Sequence, residues 1–453
     1  YTISVGQNPG ATSLTTNTGS ITKTGAGTLA LAGGIAGGLS VTGGEVTTTA
    51  VKFGGYANLT GSTLTTSAIT DSTVTLNAGA TLKAGASFTS TNPSFGATSL
   101  ALNAADAVFD TNGYTVTFAH GVTGTGSLNK SGAGTLTLSY FSNTFSGNVA
   151  VNAGTLTLGS AGALSSGKTV GISSGATFNM NGQALSVAKL EGAGSVTLGS
   201  ATLTAAQAVD STFSGAISGT GGLTKSGAGV MTLAGTNTYS GATSLTAGGL
   251  IFNGSAASSA FTVSGGTLSG SGTIGALTIA SGGTFSPGNS PGTFNAGNTT
   301  WAGGGTYLWE LNNADGTPGA DPGWDLLSIS GTLTLTASSG NPFNLDLTSL
   351  TLGNVAGEAA NFTTNENHTF LIASASGGIT GFSADKFNLD ATGFANDLAG
   401  GSWNIAQSGN NLNLVYTAAS AIPEPSTYAA LAGLGALGLA LWRRRSVAVQ
   451  RIA

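Results

Sequence analysis

The sequence has 453 residues, of which 75 are glycine, and its 12 basic and 17 acidic side chains leave it unusually poor in charge. Cysteine is absent, which excludes a disulfide framework, a thiolate metal site and a cysteine nucleophile. All four arginines lie after residue 442. Because nucleic-acid affinity depends on clustered Lys and Arg, we expect no nucleic-acid partner.

One phrase recurs along the first part of the chain. Residues 128–138 read LNKSGAGTLTL, residues 223–233 read LTKSGAGVMTL, and residues 21–31 read ITKTGAGTLAL. The phrase NTFSG at 143–147 likewise returns as NTYSG at 237–241. Such self-similarity is typical of a chain built by stacking one small unit. We interpret the repeat lysines as markers of a solvated turn; they are Lys23, Lys130 and Lys225.

Short runs of alternating apolar and polar residues follow many of the glycines and predict half-buried strands. Between residues 155 and 204 the predicted strands are 155–158, 168–172, 176–180, 184–187, 195–198 and 201–204. Their spacing fits a sandwich or a solenoid, and the repeat favours a solenoid, because its units bury a core only against their neighbours. At about 4.8 Å per coil, residues 1–300 would form on the order of thirteen coils of roughly 20–25 residues. Leu, Val, Ile and Phe would face inward, with Gly and Asn at left-handed corners.

The repeated phrases resemble the autotransporter-associated β-strand repeat. Residues 223–250 match its pattern almost throughout, residues 128–156 nearly as well, and residues 21–47 in the first half. The resemblance implies a right-handed parallel β-helix that lies outside the cell. We therefore predict an all-β fold with a right-handed parallel β-helix over residues 1–300.

From about residue 285 the composition changes, and four of the five tryptophans lie between 301 and 403. We predict a smaller all-β segment over residues 301–420 that continues or caps the solenoid. Its loop 310–325 holds the calcium candidates Asp315, Asp321 and Asp325, since Ca²⁺ takes six to eight oxygen ligands. A solvated hairpin loop between strands 306–311 and 325–336 explains the loop equally well. Apart from the calcium ion of the first interpretation, we expect no cofactor.

Aromatic residues in the same segment allow two interpretations. Trp301, Tyr307, Trp309 and Trp324 either form a platform on which sugars stack or fill the core of the cap. The core is favoured, because alternate residues of a strand share one face. The two histidines, His120 and His368, have no acidic neighbour in sequence and are interpreted as loop or turn residues.

Residues 421–453 differ from the rest of the chain. Pro423, Glu424 and Pro425 precede an uncharged stretch over 428–442, and Arg443, Arg444 and Arg445 follow at once. Fifteen helical residues span about 22 Å, short of the roughly 30 Å hydrocarbon core, a deficit that snorkelling arginines and a thinner bilayer would absorb. The positive-inside bias places the arginine cluster in the cytoplasm.

This tail resembles the PEP-CTERM sorting signal of Gram-negative bacteria. The resemblance implies that an exosortase-type enzyme recognises Pro423, Glu424 and Pro425, and that 428–442 anchors the chain transiently in the inner membrane as a stop-transfer helix before the tail is removed. Because the sequence begins with Tyr1, we also expect a preceding segment such as a signal peptide.

The predicted function is that of a non-enzymatic, exported structural protein of the cell surface or extracellular matrix of a Gram-negative bacterium. The alternative is a carbohydrate-binding adhesin with its site in 301–420. A polysaccharide lyase or hydrolase is third, because residues 111–190 contain no carboxylate for such chemistry. Exopolysaccharide and further copies of the chain, joined into filaments through an exposed strand at Tyr1–Val5, are the remaining expected partners.

Overall fold

The computed structural model describes residues 20–31, 37–52, 56–70, 72–90, 98–419 and 425–449. The chain forms a parallel β-solenoid of about 13 turns with one C-terminal helix, which confirms the predicted all-β solenoid class. Most described strands pair in parallel with the strand one coil later, so backbone hydrogen bonds run along the axis of the solenoid. The predicted strand at Tyr1–Val5 lies outside the described residues.

Parallel ladders of strands form the faces of the solenoid. One ladder contains Ile21–Lys23, Leu39–Val41, Tyr56–Leu59, Thr73–Leu76, Thr98–Leu102 and Gly121–Thr123. A second contains Phe88–Ser90, Thr115–Phe118, Thr135–Leu138, Thr155–Leu158, Thr177–Asn179, Ser195–Thr197 and Ile217–Ser218. A third begins with Thr28–Leu31, Gly44–Thr48, Ser62–Thr66, Thr81–Ala84, Val108–Asp110, Leu128–Ser131, Val149–Val151, Lys168–Ile172 and Leu185–Gly192.

This third ladder divides at its eight-residue strand Leu185–Gly192, which pairs with two strands of the next coil. One branch contains Leu203–Ala206, Leu223–Ser226, Thr243–Leu245, Phe261–Val263, Leu277–Ile279, Thr299–Trp301, Leu333–Leu335 and Ile379–Thr380. The other contains Ser211–Phe213, Val230–Leu233, Gly249–Phe252, Gly266–Gly270, Gly283–Pro287, Thr306–Leu311, Phe343–Ser349 and Phe387–Gly393. The double pairing explains why this strand is longer than the predicted 184–187.

A further ladder covers the C-terminal coils and ends in an antiparallel hairpin. Its parallel strands are Ser255–Ala256, Thr273–Ile274, Thr293–Ala296, Leu326–Ile329 and His368–Ala375. Asn411–Thr417 then pairs antiparallel with His368–Ala375, and Ser402–Ser408 pairs antiparallel with Asn411–Thr417. The shorter elements are Val51–Lys52, Ile69–Thr70, Thr317–Pro318, Gly323–Trp324, the 3₁₀ turn Ala384–Lys386 and the α-helix Pro425–Val449.

Side chains alternate between the core and the solvent along these strands. In the stacked strands Thr135–Leu138 and Thr155–Leu158 both leucines are buried and both threonines are partly exposed. The strands pair with identical residues opposite one another, Leu136 with Leu156 and Leu138 with Leu158. Each apolar side chain therefore packs on a like side chain one coil away. The predicted inward ladders of Leu, Val, Ile and Phe are confirmed.

The repeat lysines do not lie on a solvated turn, and that prediction is wrong. Lys130 is 0% exposed, and its Nζ donates hydrogen bonds to the carbonyls of Ser131, Gly132 and Ala153, each at 2.8 Å. Two acceptors lie in the lysine's own corner and the third in the next coil. The other two lysines, with their acceptor residues, are Lys23 (Thr24, Gly25, Gly43) and Lys225 (Ser226, Gly227, Ala247).

The lysine points inward because its strand alternates, with Leu128 buried, Asn129 half-buried and Lys130 buried. A buried ammonium is tolerated only where its donors are satisfied, and three carbonyl oxygens accept all three N–H groups. Burial lowers the pKa of Lys130 to about 8, an effect that the nearby Asp110 carboxylate partly offsets. The side chain therefore remains mostly protonated at neutral pH. We call this arrangement the lysine cage.

The glycines of the repeated phrase make room for the cage. Gly132 has a φ of 74° and Gly154, in the next coil, a φ of 63°, a region that disfavours residues with a Cβ. A Cβ on Gly154 would approach the carbonyl oxygens of Gly134 and Gly132 to 2.3 and 2.5 Å. Neighbouring corners thus stack backbone on backbone, which accounts for the phrase Gly-Ala-Gly and the glycine one coil later.

The second repeated phrase supplies a polar link between coils. Asn143 is buried, its Oδ1 accepts the Val122 N–H at 2.7 Å, and its Nδ2 donates to the Ala163 carbonyl at 2.7 Å. Its amide therefore joins the preceding coil to the following one. Asn237 is likewise buried and accepts the Ile217 N–H at 2.9 Å.

Substitution of a caged lysine tests this account. We expect Lys130→Met to lower the free energy of unfolding by about 3 kcal/mol, because three buried carbonyl groups lose their donor. The matched control is Lys189→Met, since Lys189 is partly exposed and forms an ion pair with Glu191 at 2.7 Å. Such a pair contributes at most about 1 kcal/mol. Urea unfolding followed by circular dichroism measures both, and equal losses for the two variants would contradict the cage.

Candidate functional site

The acidic loop 310–325 is not a simple solvated hairpin. Strand Thr306–Leu311 belongs to one ladder, whereas Leu326–Ile329 pairs in a different ladder with Thr293–Ala296 and His368–Ala375. Antiparallel pairing across the loop involves one residue pair, Leu311 with Trp324, flanked by backbone hydrogen bonds from Asn312 to Gly323 and from Asp325 to Glu310. The loop therefore crosses from one face of the solenoid to another, and part of it is buried.

Asp325 is the buried acid of this loop, with 0% exposure. Its Oδ1 accepts the Gly292 N–H and its Oδ2 accepts the Glu310 N–H, both at 3.0 Å. Its carbonyl accepts the Trp309 Nε1–H at 3.1 Å. Burial raises the pKa of Asp325 well above its usual value, and the Glu310 carboxylate raises it further. Burial also raises the pKa of Glu310. The carboxylate thus joins three segments of the chain, at Gly292, Glu310 and Asp325.

Asp321 has a separate set of partners. Its Oδ1 accepts a hydrogen bond from Asn312 Nδ2 at 2.7 Å, and its Oδ2 accepts one from Asn354 Nδ2 at 2.6 Å. Asn312 is itself buried and accepts the Gly323 N–H through its Oδ1 at 2.7 Å. The amide donors hold this carboxylate in place.

The calcium interpretation gains no support from this arrangement. Within the described residues, no group of three or more His, Asp or Glu side chains converges as a metal site requires. Asp321 and Asp325 face N–H donors, and Ca²⁺ would need those oxygens for itself. The structure does not gather Asp315, Asp321 and Asp325 into one ligand set.

The aromatic set is buried in the core of the C-terminal coils, so the favoured core interpretation is confirmed and the sugar platform is wrong. Trp301 and Trp309 are fully buried, and Trp301 stacks on Phe343 with ring centroids 4.7 Å apart. The Tyr307 hydroxyl donates to the Ile372 carbonyl at 3.1 Å, and Trp324 is also buried. None of these four rings is available to a ligand at the surface.

The two histidines differ from each other. His120 lies in a bend, as predicted. His368 is instead the first residue of strand His368–Ala375, and its ring stacks between Phe362 and Phe370 at centroid distances of 4.9 and 5.8 Å. Its Nε2 lies 2.7 Å from the Thr363 carbonyl oxygen.

The predicted sorting motif lies at the edge of the described residues. Pro423 and Glu424 fall outside them, and Pro425 is the first residue of the helix Pro425–Val449. Along this helix several apolar side chains are exposed, namely Leu434, Leu437, Leu439, Leu441 and Trp442. Arg443 and Arg444 are exposed as well. In the described part of the chain no helix combines the length and apolarity needed to cross a membrane, so the transmembrane prediction is not supported.

The structure reveals a surface groove that our sequence reasoning missed. A groove of about 610 Å³ lies between the loop 141–146 and the loop 162–168 of the next coil. Phe141 stands at its rim and is 68% exposed, whereas Lys168 lines it and is only 5% exposed. Two sequence signals were present: adjacent aromatic residues before the phrase NTFSG, and a lysine outside the repeated phrase. We call this feature the Phe141–Lys168 groove.

The acid pair of the cap predicts a pH effect. Because the pKa values of Glu310 and Asp325 are raised by burial, the folded protein binds more protons than the unfolded chain above their ordinary pKa values. The free energy of unfolding therefore falls as the pH rises through this interval. Glu310→Gln removes one titrating group and its repulsion of Asp325. We expect the fall between about pH 4 and pH 7 to shrink by at least about 1 kcal/mol.

Chemical unfolding at several pH values measures this difference. The control is Glu358→Gln, which neutralises an exposed carboxylate of the same C-terminal segment. A Glu310→Gln variant whose pH profile matches those of the parent and of the control would refute the assignment.

Comparison with known proteins agrees with the repeats seen in the fold. Residues 21–47, 128–158 and 223–252 match the passenger-associated transport repeat. Residues 421–445 match the PEP-CTERM protein-sorting motif. The three repeat matches each contain a lysine cage, and the sorting match contains the Pro-Glu-Pro triplet and the arginine cluster.

Among curated proteins, an extracellular serine protease of Serratia marcescens is 51% identical over 81 residues, which is 18% of this chain and 8% of that protein. The adhesin BmaC autotransporter of Brucella suis biovar 1 (strain 1330) is 37% identical over 142 residues, 30% of this chain and 4% of that protein. The chain thus spans less than a tenth of the length of either relative. The repeats and the tail together identify an exported, surface-associated protein that carries autotransporter-type passenger repeats and a C-terminal PEP-CTERM sorting motif.

Proposed function

We propose that this protein is a non-enzymatic structural rod of the bacterial cell surface or extracellular matrix, and that an exosortase-type enzyme processes its tail. The proposal rests on the structural roles of the residues that recur in the repeat. The lysines of the repeat hold backbone carbonyls, its asparagines join successive coils, and its glycines allow close backbone contact. These residues serve the stacking of coils, which is the property a rod requires.

The outer surface suits contact with other polymers. Threonines stack in register on the exposed side of the ladders, as in Thr135, Thr155 and Thr177. About 13 turns at about 4.8 Å each give a rod of roughly 60 Å. Such a surface carries many hydroxyl groups and little charge, and it offers hydrogen bonds along its length. We infer that exopolysaccharide and neighbouring matrix components are its partners.

The carboxylates of Asp321 and Asp325 also have structural roles. Asp325 holds three segments together, and Asp321 is held by two asparagine amides. Carboxylates engaged by N–H donors in this way are poorly placed to act as a general acid or as a nucleophile on a polysaccharide. This use of the carboxylates supports a scaffold over a lyase or hydrolase.

The tail supports delivery to the surface followed by processing. Its helix exposes an uncharged apolar stretch immediately before the arginine cluster. We infer that this helix associates with the inner membrane until the enzyme removes it. The basic cluster would hold the helix end at the cytoplasmic surface.

A second candidate function is that of a carbohydrate-binding adhesin. It is favoured by the similarity of 30% of the chain to the adhesin BmaC autotransporter. The aromatic residues that could have formed a sugar platform, Trp301, Tyr307, Trp309 and Trp324, are buried, so a glycan site would lie elsewhere on the rod.

Replacement of the sorting triplet tests the proposed processing. We expect Pro423→Ala, Glu424→Ala and Pro425→Ala, combined in one variant, to leave the tail uncleaved and the protein in the inner-membrane fraction. Mass spectrometry of the C-terminus measures cleavage of the tail. Membrane fractionation and immunogold labelling of whole cells measure retention in the inner membrane and display on the surface. The matched control replaces Ser446, Val447 and Val449 by alanine, beyond the arginine cluster, and should be processed normally. Surface display of the triplet variant with its tail removed would refute the assignment.

A further inference from the structure

The Phe141–Lys168 groove combines an exposed aromatic ring with a sheltered cation. It is lined by Phe141, Phe145, Ser146, Ser165, Ser166 and Lys168, among others, and encloses about 610 Å³. The volume lies within the range of small-molecule and sugar sites, roughly 300–1,000 Å³. Serines from both loops line the same groove as Phe141 and Lys168.

Lys168 is held differently from the caged lysines. Its Nζ donates to the carbonyls of Phe145 at 2.6 Å and Gly147 at 2.9 Å, and it lies 4.3 Å from the centroid of the Phe145 ring. These contacts use two of its three N–H groups, and within the described part of the chain no third acceptor approaches. Lys130, by contrast, uses all three. Among the described residues the third N–H of Lys168 therefore has no carbonyl acceptor, and only the Phe145 ring lies beside the ammonium.

The charge of this cation is not neutralised along the neighbouring coils. Residues 111–190 contain no Asp or Glu. Lys189 is paired with Glu191 at 2.7 Å, whereas Lys168 contacts only carbonyl groups and a ring. A partly desolvated ammonium without a carboxylate partner favours an anionic ligand, with which it forms a strong charge-assisted hydrogen bond.

Phe141 supplies the second element of a sugar site. Its ring is 68% exposed and lies beside that of Tyr140, with centroids 4.9 Å apart and planes inclined by 38°. Burial of an exposed aromatic ring against a ligand is favourable, because apolar surface is removed from water. The apolar face of a pyranose ring, with its C–H groups, is a flat partner of matching size.

A second coil of the same repeat shows what this site looks like without these two residues. Val149 pairs with Val170, and Thr243 pairs with Phe261, so Lys168 and Ser259 occupy the same place two residues before the partner strand position. Ser259 Oγ donates to the Gly241 carbonyl at 2.7 Å, as Lys168 does to the equivalent Gly147 carbonyl.

In that coil the space is closed by a neutral network. The Tyr239 hydroxyl lies 2.7 Å from the Thr243 hydroxyl, which lies 3.0 Å from the Ser259 hydroxyl, and all three residues are buried. The segment before the phrase reads Ala-Gly-Thr at 234–236, where the first coil has Ser-Tyr-Phe-Ser at 139–142. A hydroxyl is therefore sufficient to satisfy the carbonyl. The ammonium and the exposed ring are additions that the coil itself does not need.

We propose that the Phe141–Lys168 groove binds an acidic polysaccharide, with a uronate carboxylate accepting a hydrogen bond from Lys168 and the sugar ring packed on Phe141. The hydroxyls of Ser146, Ser165 and Ser166 line the same groove and bind the hydroxyls of the sugar. The proposal rests on the proposed function, a rod in contact with exopolysaccharide, and it assigns that contact a site and a ligand class.

Binding of the purified protein to immobilised polygalacturonate tests the assignment. The same polymer after reduction of its carboxyl groups is the neutral probe. We expect the parent protein to bind only the acidic polymer. Phe141→Ala and Lys168→Gln should each weaken binding by at least tenfold. Because Phe141 is exposed, its variant retains the fold, and thermal unfolding checks that Lys168→Gln does so too.

Two control variants sharpen the result. Lys189→Gln removes an exposed cation without touching the groove, and Ser259→Ala changes the equivalent place in the second coil. Both should bind within about twofold of the parent. Equal binding of the two polymers, no binding of the acidic polymer, or unchanged binding by Phe141→Ala would each overturn the proposal. If the protein is displayed on the surface but does not bind polyuronate, only the groove proposal is refuted. If the protein is retained inside the cell, the proposed function is refuted.

Discussion

Pairing of each coil with the next, in register and in parallel, is the constraint on which the rest of this structure depends. Successive strands place like residues opposite one another, so a side chain that suits one coil must suit its neighbours. Leucines and phenylalanines satisfy this condition inside, and threonines satisfy it outside. Charged residues do not, because stacking would bring like charges within about 5 Å of each other. The scarcity of charge follows from the geometry of stacking.

The corners of the coils pose the opposite problem, because carbonyl groups turn inward there without a strand to pair with. The lysine cage solves it by placing one ammonium against three carbonyls from two successive coils. Asn143 and Asn237 do similar work at another corner, since one amide both donates and accepts. A buried polar group whose hydrogen bonds are all formed links successive coils and fixes their register. The repeated phrases thus supply the residues that satisfy the backbone groups at the corners of the coils.

The C-terminal coils end this regularity. Strand His368–Ala375 pairs parallel on one side and antiparallel on the other, and the hairpin that follows replaces a further coil. The aromatic residues and the buried Asp325 fill the core at this end. The proposed polysaccharide site lies on the side of the solenoid, in the Phe141–Lys168 groove, and the sorting motif lies in the tail. A departure from the repeat marks each of these sites.

Periodicity and repetition were sufficient to predict the solenoid, most strands between 155 and 204, and the sorting tail, because these depend on local alternation and on contiguous motifs. The environments of Lys130, Asp325 and His368 were not predictable in this way. Each depends on groups brought together from distant positions, such as the Ala153 carbonyl for Lys130 and the Gly292 N–H for Asp325. Lys168 shows the same limit, since an identical residue type is caged in one corner and open to a groove in another. The local pattern of the sequence determined where strands form along the chain. The hydrogen-bond partners of each polar side chain were determined only by the tertiary structure, because some of them come from a neighbouring coil.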